Sequence, residues 1–426
     1  MNSRERIQAA LAHKEPDRVP IDFNGHRSSG IMAQTYVKLR EFLGLPPSEL
    51  YVYDFIQQLA LVEADVLDIV GADVVEVGHD YWQFPEYWQD WNLPDGTPCK
   101  IPAFCQPVKN GKDWVVYGDE PQVICAQKDG VLFFEQMYFP LLDNPDNSFD
   151  RLEYYLNQIM WCRLGIPPAP AGLDEAGLKT RRDTAKALRK NTDRAIYGTF
   201  GGNLVEIGEF VFRIDNFLYE LAANPKRIHT FLDRLTELHL KNMDKYLCAV
   251  GEYIDIIGFG DDLGMQTGPQ FSPAMYREFF KPRHTILWNH ARKLRPQLKV
   301  SLHCCGGIYP LLPDIIEAGL DVINPVQFTC SDMEVARLKK EFGRDIVFWG
   351  GGCDTQDILC KGSPEEVKKH VREQVDILSP GGGFVFQQVH NILVDVPPEN
   401  IMAMFNAVRG EGERKSEVGS RKSEGK

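Results

Sequence analysis

The chain has 426 residues, 43% of them hydrophobic and 25% charged, the balance of a globular protein with a sizeable core and not of a disordered or fibrous one. Its 60 acidic and 47 basic residues leave a net charge of −13, which argues against a nucleic-acid partner, because a phosphate backbone attracts clustered Lys and Arg. The opening MNSRERIQAALAHKEPDR lacks the apolar core of a signal peptide, no run approaches the roughly 18 apolar residues of a membrane span, and the cysteines read as reduced thiols, so a cytoplasmic protein with no membrane partner is expected.

Taken in chain order, eight short runs read as strands. They are VPIDFN (19–24), ADVVEVG (72–78), AIYGTFGG (195–202), YIDIIGFGDD (253–262), KVSLHCCGG (299–307), DVINPVQ (321–327), IVFWGGGCD (346–354) and GFVFQQVHN (383–391). Most are continuous apolar runs, as strands of a parallel sheet covered on both faces should be. Amphipathic stretches lie between them. Residues 205–247 predict two helices divided at Asn224-Pro225, and further helices are expected within 272–294, 311–319, 332–343 and 363–378. The last has Ser363 as N-cap, Pro364 at the first helical position and Glu366 three residues after the cap. Strands joined by helical crossovers predict an α/β fold, a (β/α)8 barrel forming a single domain over residues 1–408.

Residues 81–140 break this rhythm. Short β-like pieces joined by PDG, KNG, GDEP and KDG turns predict an antiparallel β insertion after the second strand, lying over the barrel mouth. Its aromatic cluster, Trp82, Phe84, Tyr87, Trp88 and Trp91, is expected either to wall a pocket or to fill a small second core. Residues 409–426 are polar, without apolar periodicity, and read as a disordered tail.

In such a barrel the reactive groups stand at the C-terminal strand ends. Here those ends are polar: Asp22, Asn24, His26 and Arg27 follow the first run, Glu76, His79 and Asp80 the second, and Asp261 and Asp262 the fourth. The fifth ends in His303, Cys304 and Cys305, the sixth near Asn324 and Gln327, the seventh near Cys353 and the eighth near Gln388, His390 and Asn391. Alternation along a strand sets His303 and Cys305 on one face and Cys304 on the other, where it should pack. Imidazole and thiolate together suit zinc, and a catalytic zinc takes three protein ligands; His390 and Cys353 compete for the third place. The Asp261-Asp262 pair could donate a proton, clamp a substrate or support a metal-bound histidine, or could be no more than a loop or helix-end charge.

Five blocks, RERIQAALAHKEPDRVPIDF, GDDLGMQTGPQFSPAMYREFFKPRH, LHCCGGIYPLLPDIIEAGLDVINPVQ, FWGGGCDTQDIL and GGGFVFQQVHNILVDVPPENIMAMFNAV, together resemble the uroporphyrinogen decarboxylase-like superfamily. The resemblance implies a (β/α)8 barrel. Porphyrinogen decarboxylases carry an arginine-rich N-terminal motif resembling RQAGRYLPE that binds substrate carboxylates, whereas this chain has DFNGHRSSGI with a single Arg27. The resemblance is therefore to the other branch, the corrinoid (cobalamin)-dependent methyltransferases. These bind zinc through an H-x-C pair, matched by His303 and Cys305, and a later cysteine, where this chain has His390.

What this implies is a zinc-dependent methyltransferase moving a methyl group between a small methylated ether, alcohol or thiol and a corrinoid. The corrinoid would arrive on a partner protein, since the chain has no D-x-H-x-x-G motif. Asp261, Asp262 and Glu76 are expected to position or protonate the substrate, with Asn24, Arg27, His79, Trp82, Trp88, Tyr309 and Gln327 binding it. The assembly expected is a homodimer. Two other readings stand beside this one: a decarboxylase-like lyase that works without metal, and a noncatalytic barrel that holds a small molecule or a corrinoid partner.

Overall fold

The computed structural model describes residues 1–78, 84–165 and 173–410. Seven parallel strands form one curved sheet: β1 (Val74–Glu76), β2 (Ala195–Gly201), β3 (Ile256–Gly260), β4 (Lys299–His303), β5 (Val322–Asn324), β6 (Val347–Trp349) and β7 (Phe384–Val385), each hydrogen-bonded to the next. The first predicted run fills the seam between β7 and β1, but as an isolated bridge from Ile21 to Phe386 and not as a full strand. Phe386 N–H donates to Pro20 and Asp22 N–H to Phe386, both at 2.8 Å, while Asp73 N–H reaches Ile21 at 2.7 Å on the other side. Eight runs thus close a (β/α)8 barrel. One stave is short because Pro20 has no N–H to give the ladder and Asn24, at φ 62°, turns the chain out of the extended region.

The bottom of the barrel is sealed. Ile7, Ala10 and Leu11 of the helix Ser3–Leu11 pack into one cluster with Val74, Tyr197, Ile256, Val322, Val347, Trp349 and Val385 from the strands. Asp73, fully buried, accepts from Arg6 and Arg18 at 2.7 Å each and from Ile21 N–H at 2.8 Å, tying that helix and the seam together. Among the described residues, the openings of the barrel lie at its C-terminal mouth.

The predicted division at Asn224-Pro225 is present, but a second one, at Arg213 (φ 69°), makes three helices of the expected two: Val205–Phe212, Ile214–Ala223 and Pro225–Val250. The 272–294 stretch is likewise divided. A wide turn over Tyr276–Phe280 precedes the helix Lys281–Leu294, whose second residue is Pro282, without an N–H for the preceding turn. The capping box at Ser363 forms as expected, with Glu366 reaching back to Ser363 N–H at 2.8 Å.

Between β1 and β2 the chain forms an antiparallel hairpin, Trp88–Asn92 with Pro98–Pro102, and a sheet of Val108–Asn110, Asp113–Tyr117, Val123–Gln127 and Glu135–Gln136. Trp88 is buried with Met32, Tyr53, Leu59 and Leu61, edge-on to Tyr51 at 4.8 Å. The expected substrate-binding place for Trp88 is therefore corrected: its ring fills a small second core. His79, Asp80 and Trp82 lie outside the described residues, as does most of the expected tail. Among the described residues, no helix is long and apolar enough to cross a membrane.

Candidate metal centre

β4 ends at His303, and the chain then turns sharply at Gly306 (φ 91°), where an added Cβ would stand 2.2 Å from the backbone of Gly264. Only glycine fits both that conformation and that approach. The turn brings Cys305 Sγ to 3.4 Å from His303 Nε2, and the His390 ring, arriving after β7, stands 5.8 Å from the His303 ring. The ligand atoms of His303, Cys305 and His390 all lie within 4.8 Å of one another. Cys304 faces away, buried, its sulfur accepting from Leu263 N–H at 3.3 Å, as strand alternation requires. Cys353, the competitor for the third place, is not in this group. It is buried in its own loop, its thiol directed to the Asp354 carbonyl at 3.8 Å, after Gly350 and Gly351 at positive φ have turned the chain.

Burial, and then the neighbouring rings of His303 and His26, push His390 down to about 3. Burial likewise lowers His303, opposed by Asp262 and by the hydrogen bond to Asn324. Both imidazoles are thus neutral donors. Burial and the Asp262 charge push the Cys305 thiol well up, so it yields its proton only to a cation placed beside it. Two neutral imidazoles and one thiol converging on a point fit a borderline-soft dication such as zinc, with a coordination position left over for a substrate.

On the inner side of this trio lies a cavity of about 210 Å³, walled by Trp161, Tyr197, Phe210 and Phe259 and carrying Arg27, Glu206 and Asp262. Arg27 is ion-paired with the buried Asp54 at 3.2 Å. Asp262 accepts from Cys305 N–H at 2.7 Å and lies 3.8 Å from His303 Nε2. The Glu206 carboxyl is raised well above its ordinary range, first by burial and then by Asp262, Asp261 and Glu209. On the outer side a wider opening of about 910 Å³ is bordered by Cys305, His390, Asp262, Gln266, Gln270 and Gln327. The trio stands between a small aromatic chamber and a broad mouth.

Several predicted residues have other places. Asp261 is fully buried and accepts from the N–H groups of Leu204, Val205 and Glu206 at 2.7–3.1 Å and from His284 Nε2 at 3.0 Å. It caps the helix Val205–Phe212, and its expected contact with a substrate is corrected accordingly. Tyr309 is corrected too. It begins the short helical turn Tyr309–Leu311 and packs against the helix Val335–Phe342, its hydroxyl donating to Glu341 at 2.6 Å and its ring covered by Arg337 at 3.8 Å. Asn24 holds the turn after the seam, donating to Ser29 at 2.9 Å. Glu76 is buried and accepts from the hydroxyl of Thr199, a side chain that does line the cavity. Gln327 accepts from Gly306 N–H at 2.8 Å and so supports the turn that carries Cys305. Reading strand ends missed Glu206, Trp161 and Phe210, which sit on helical segments beyond those ends. The one signal for Glu206 was the FGGN turn just before it, which starts a helix at the mouth.

Residues 170–411 match the family described as uroporphyrinogen decarboxylase (URO-D). The chain belongs to the URO-D family. Within it, uroporphyrinogen decarboxylase of Pseudomonas putida is 27% identical over 186 residues, 43% of this chain and 49% of that protein. The enzyme of the same description from Magnetococcus marinus is 22% identical over 219 residues, 51% of this chain and 56% of that one. This URO-D family chain therefore spans about half the length of the curated relatives it matches. A solved methyltransferase from Methanosarcina mazei shares its fold over nearly the whole length, with a TM-score of 0.56, 17% identity, and 96% and 99% of the two chains covered.

Proposed function

We propose that this URO-D family protein is a cytoplasmic zinc-dependent methyltransferase that moves a methyl group between a small methylated ether, alcohol or thiol and a corrinoid carried by a partner protein. The observation that carries the reading is the convergence of His303, Cys305 and His390 within 4.8 Å at the open end of the barrel. Zinc held there would supply Lewis acidity to a substrate thiol or oxygen. The chain's own groups serve the rest. Trp161, Tyr197 and Phe210 would exclude water from a small substrate, and Glu206 and Asp262 would hold or pass a proton at its heteroatom. The broad outer mouth leaves room for the large group a partner would bring.

The curated relatives favour a second reading, a decarboxylase-like lyase without metal. Its substrate class bears many carboxylates, yet among the described lining residues the guanidinium of Arg27 is already ion-paired to Asp54, and Asp262 would meet the substrate with like charge. Zinc content of the purified protein decides between them. About one zinc per chain is expected, retained in Cys353→Ser and lost, without unfolding, in His303→Ala, Cys305→Ser and His390→Ala. A metal-free parent, purified under reducing conditions with zinc supplied, would overturn the methyltransferase reading and leave the lyase or a noncatalytic barrel.

A further inference from the structure

A neutral histidine carries its proton on either ring nitrogen, and only the bare nitrogen can bind a metal. For His303, Nε2 faces Cys305 and Nδ1 faces the side-chain amide of Asn324 at 2.9 Å. Which nitrogen is bare depends on which end of that amide points at the ring.

Two main-chain carbonyls answer this. The other end of the Asn324 amide lies 2.8 Å from the carbonyl oxygen of Trp349, at the end of β6. A carbonyl only accepts, so Nδ2 has to face it; the reversed amide would set two oxygens against each other. Oδ1 therefore faces His303 and the Ser28 hydroxyl, which donates to it at 3.0 Å. Nδ1 must then be the protonated nitrogen. Gln387 is pinned in the same way and leads to the same result. Its Nε2 donates to the Ser28 carbonyl at 3.0 Å, which leaves its Oε1 to accept from Asn324 Nδ2 at 2.8 Å. Asn324 is only 1% exposed, so water does not compete for these bonds.

We infer that Asn324 is a positioning residue that locks His303 in the Nδ1–H tautomer, with the Trp349 carbonyl as its anchor and a bare Nε2 presented beside Cys305. The purpose of the lock rests on the metal reading above; the tautomer itself does not. A ring held this way needs neither rotation nor proton loss to accept a cation, which is how partners behind a ligating histidine sharpen affinity.

The test measures the imidazole ¹⁵N shifts of His303 in the zinc-free, full-length protein, and zinc affinity by chelator competition, for the parent, Asn324→Ala and Asn324→Asp. The parent is expected to show Nδ1–H with a bare Nε2. Asn324→Ala should mix the two tautomers and weaken zinc binding by about 10- to 100-fold. Asn324→Asp keeps an acceptor for Nδ1–H and should keep the tautomer, while its second oxygen meets the Trp349 carbonyl and lowers the melting temperature. A parent protonated at Nε2 overturns the inference, as does a folded Asn324→Ala protein with parental tautomer and affinity. The parent's tautomer decides even if the variants do not fold. A parent with the expected tautomer that binds no zinc supports the lock and overturns the metal reading instead.

Discussion

Glu209 sits beside the open mouth with no ion-paired cation among the described residues, and burial, aided by the charges of Asp261 and Asp262 and opposed by a hydrogen bond from Gln270, raises its carboxyl to about 8 from an ordinary 4.5. The sign of its effect on stability follows. Between those two pH values the folded chain holds a proton that the unfolded chain has lost, so stability falls as pH rises through that window. The penalty is absent below about pH 4.5 and complete above about 8. In metal-free protein, Glu209→Gln is expected to flatten this decline in urea unfolding measured from pH 5 to pH 8. An unchanged slope would show that the carboxyl ionises at no cost in the native state. His390 illustrates the opposite case of legibility. Its type and its strand end were readable and the family resemblance put it in the third ligand place, but residue chemistry alone left Cys353 competing, because loop turns at Gly350 and Gly351 decide where a side chain six residues past a strand's start is carried.

At the scale of elements, Asp261 shows how one carboxylate can support the candidate site without lining it. It satisfies three N–H groups at the start of the helix Val205–Phe212 and pairs with His284, whose ring stacks on Trp288 at 4.8 Å and whose Nδ1 meets the Tyr276 hydroxyl at 3.1 Å. Replacing it with alanine removes the cap and strands a buried partner, a loss of about 3–5 kcal/mol. Urea unfolding of Asp261→Ala should show it, with zinc content retained because no ligand moves directly. Loss of zinc with full stability would put Asp261 in the metal site after all. The strands were legible as apolar runs, and His303 with Cys305 was legible through their period of two. The division at Arg213 was not, since a non-glycine residue at positive φ leaves no mark in composition, and neither was the helical wall of the cavity.

The whole barrel depends on a seam one bridge wide. Asp73 gathers Arg6, Arg18 and the N–H of Ile21 at a point with no solvent, so Asp73→Ala leaves two guanidinium groups with less charge to face and should cost about 3–5 kcal/mol. Hydrogen exchange should locate the damage, with the amides of Asp22 and Phe386, paired across the seam, losing protection before those of β3 and β4. Uniform loss across the sheet would mean that the seam opens only with global unfolding. The eight-run count made the barrel legible, while the thinness of its first stave was hidden because VPIDFN reads as well as any other strand.

That seam also sets an order of events during synthesis. Ile21 can meet Asp73 soon after both leave the ribosome, but its other edge waits for Phe386, which emerges on the order of tens of seconds later at a rate of about 5–20 residues per second. Until then the growing sheet has two raw edges, and the nascent chain needs a chaperone's shelter most in the interval just before its last stave is made.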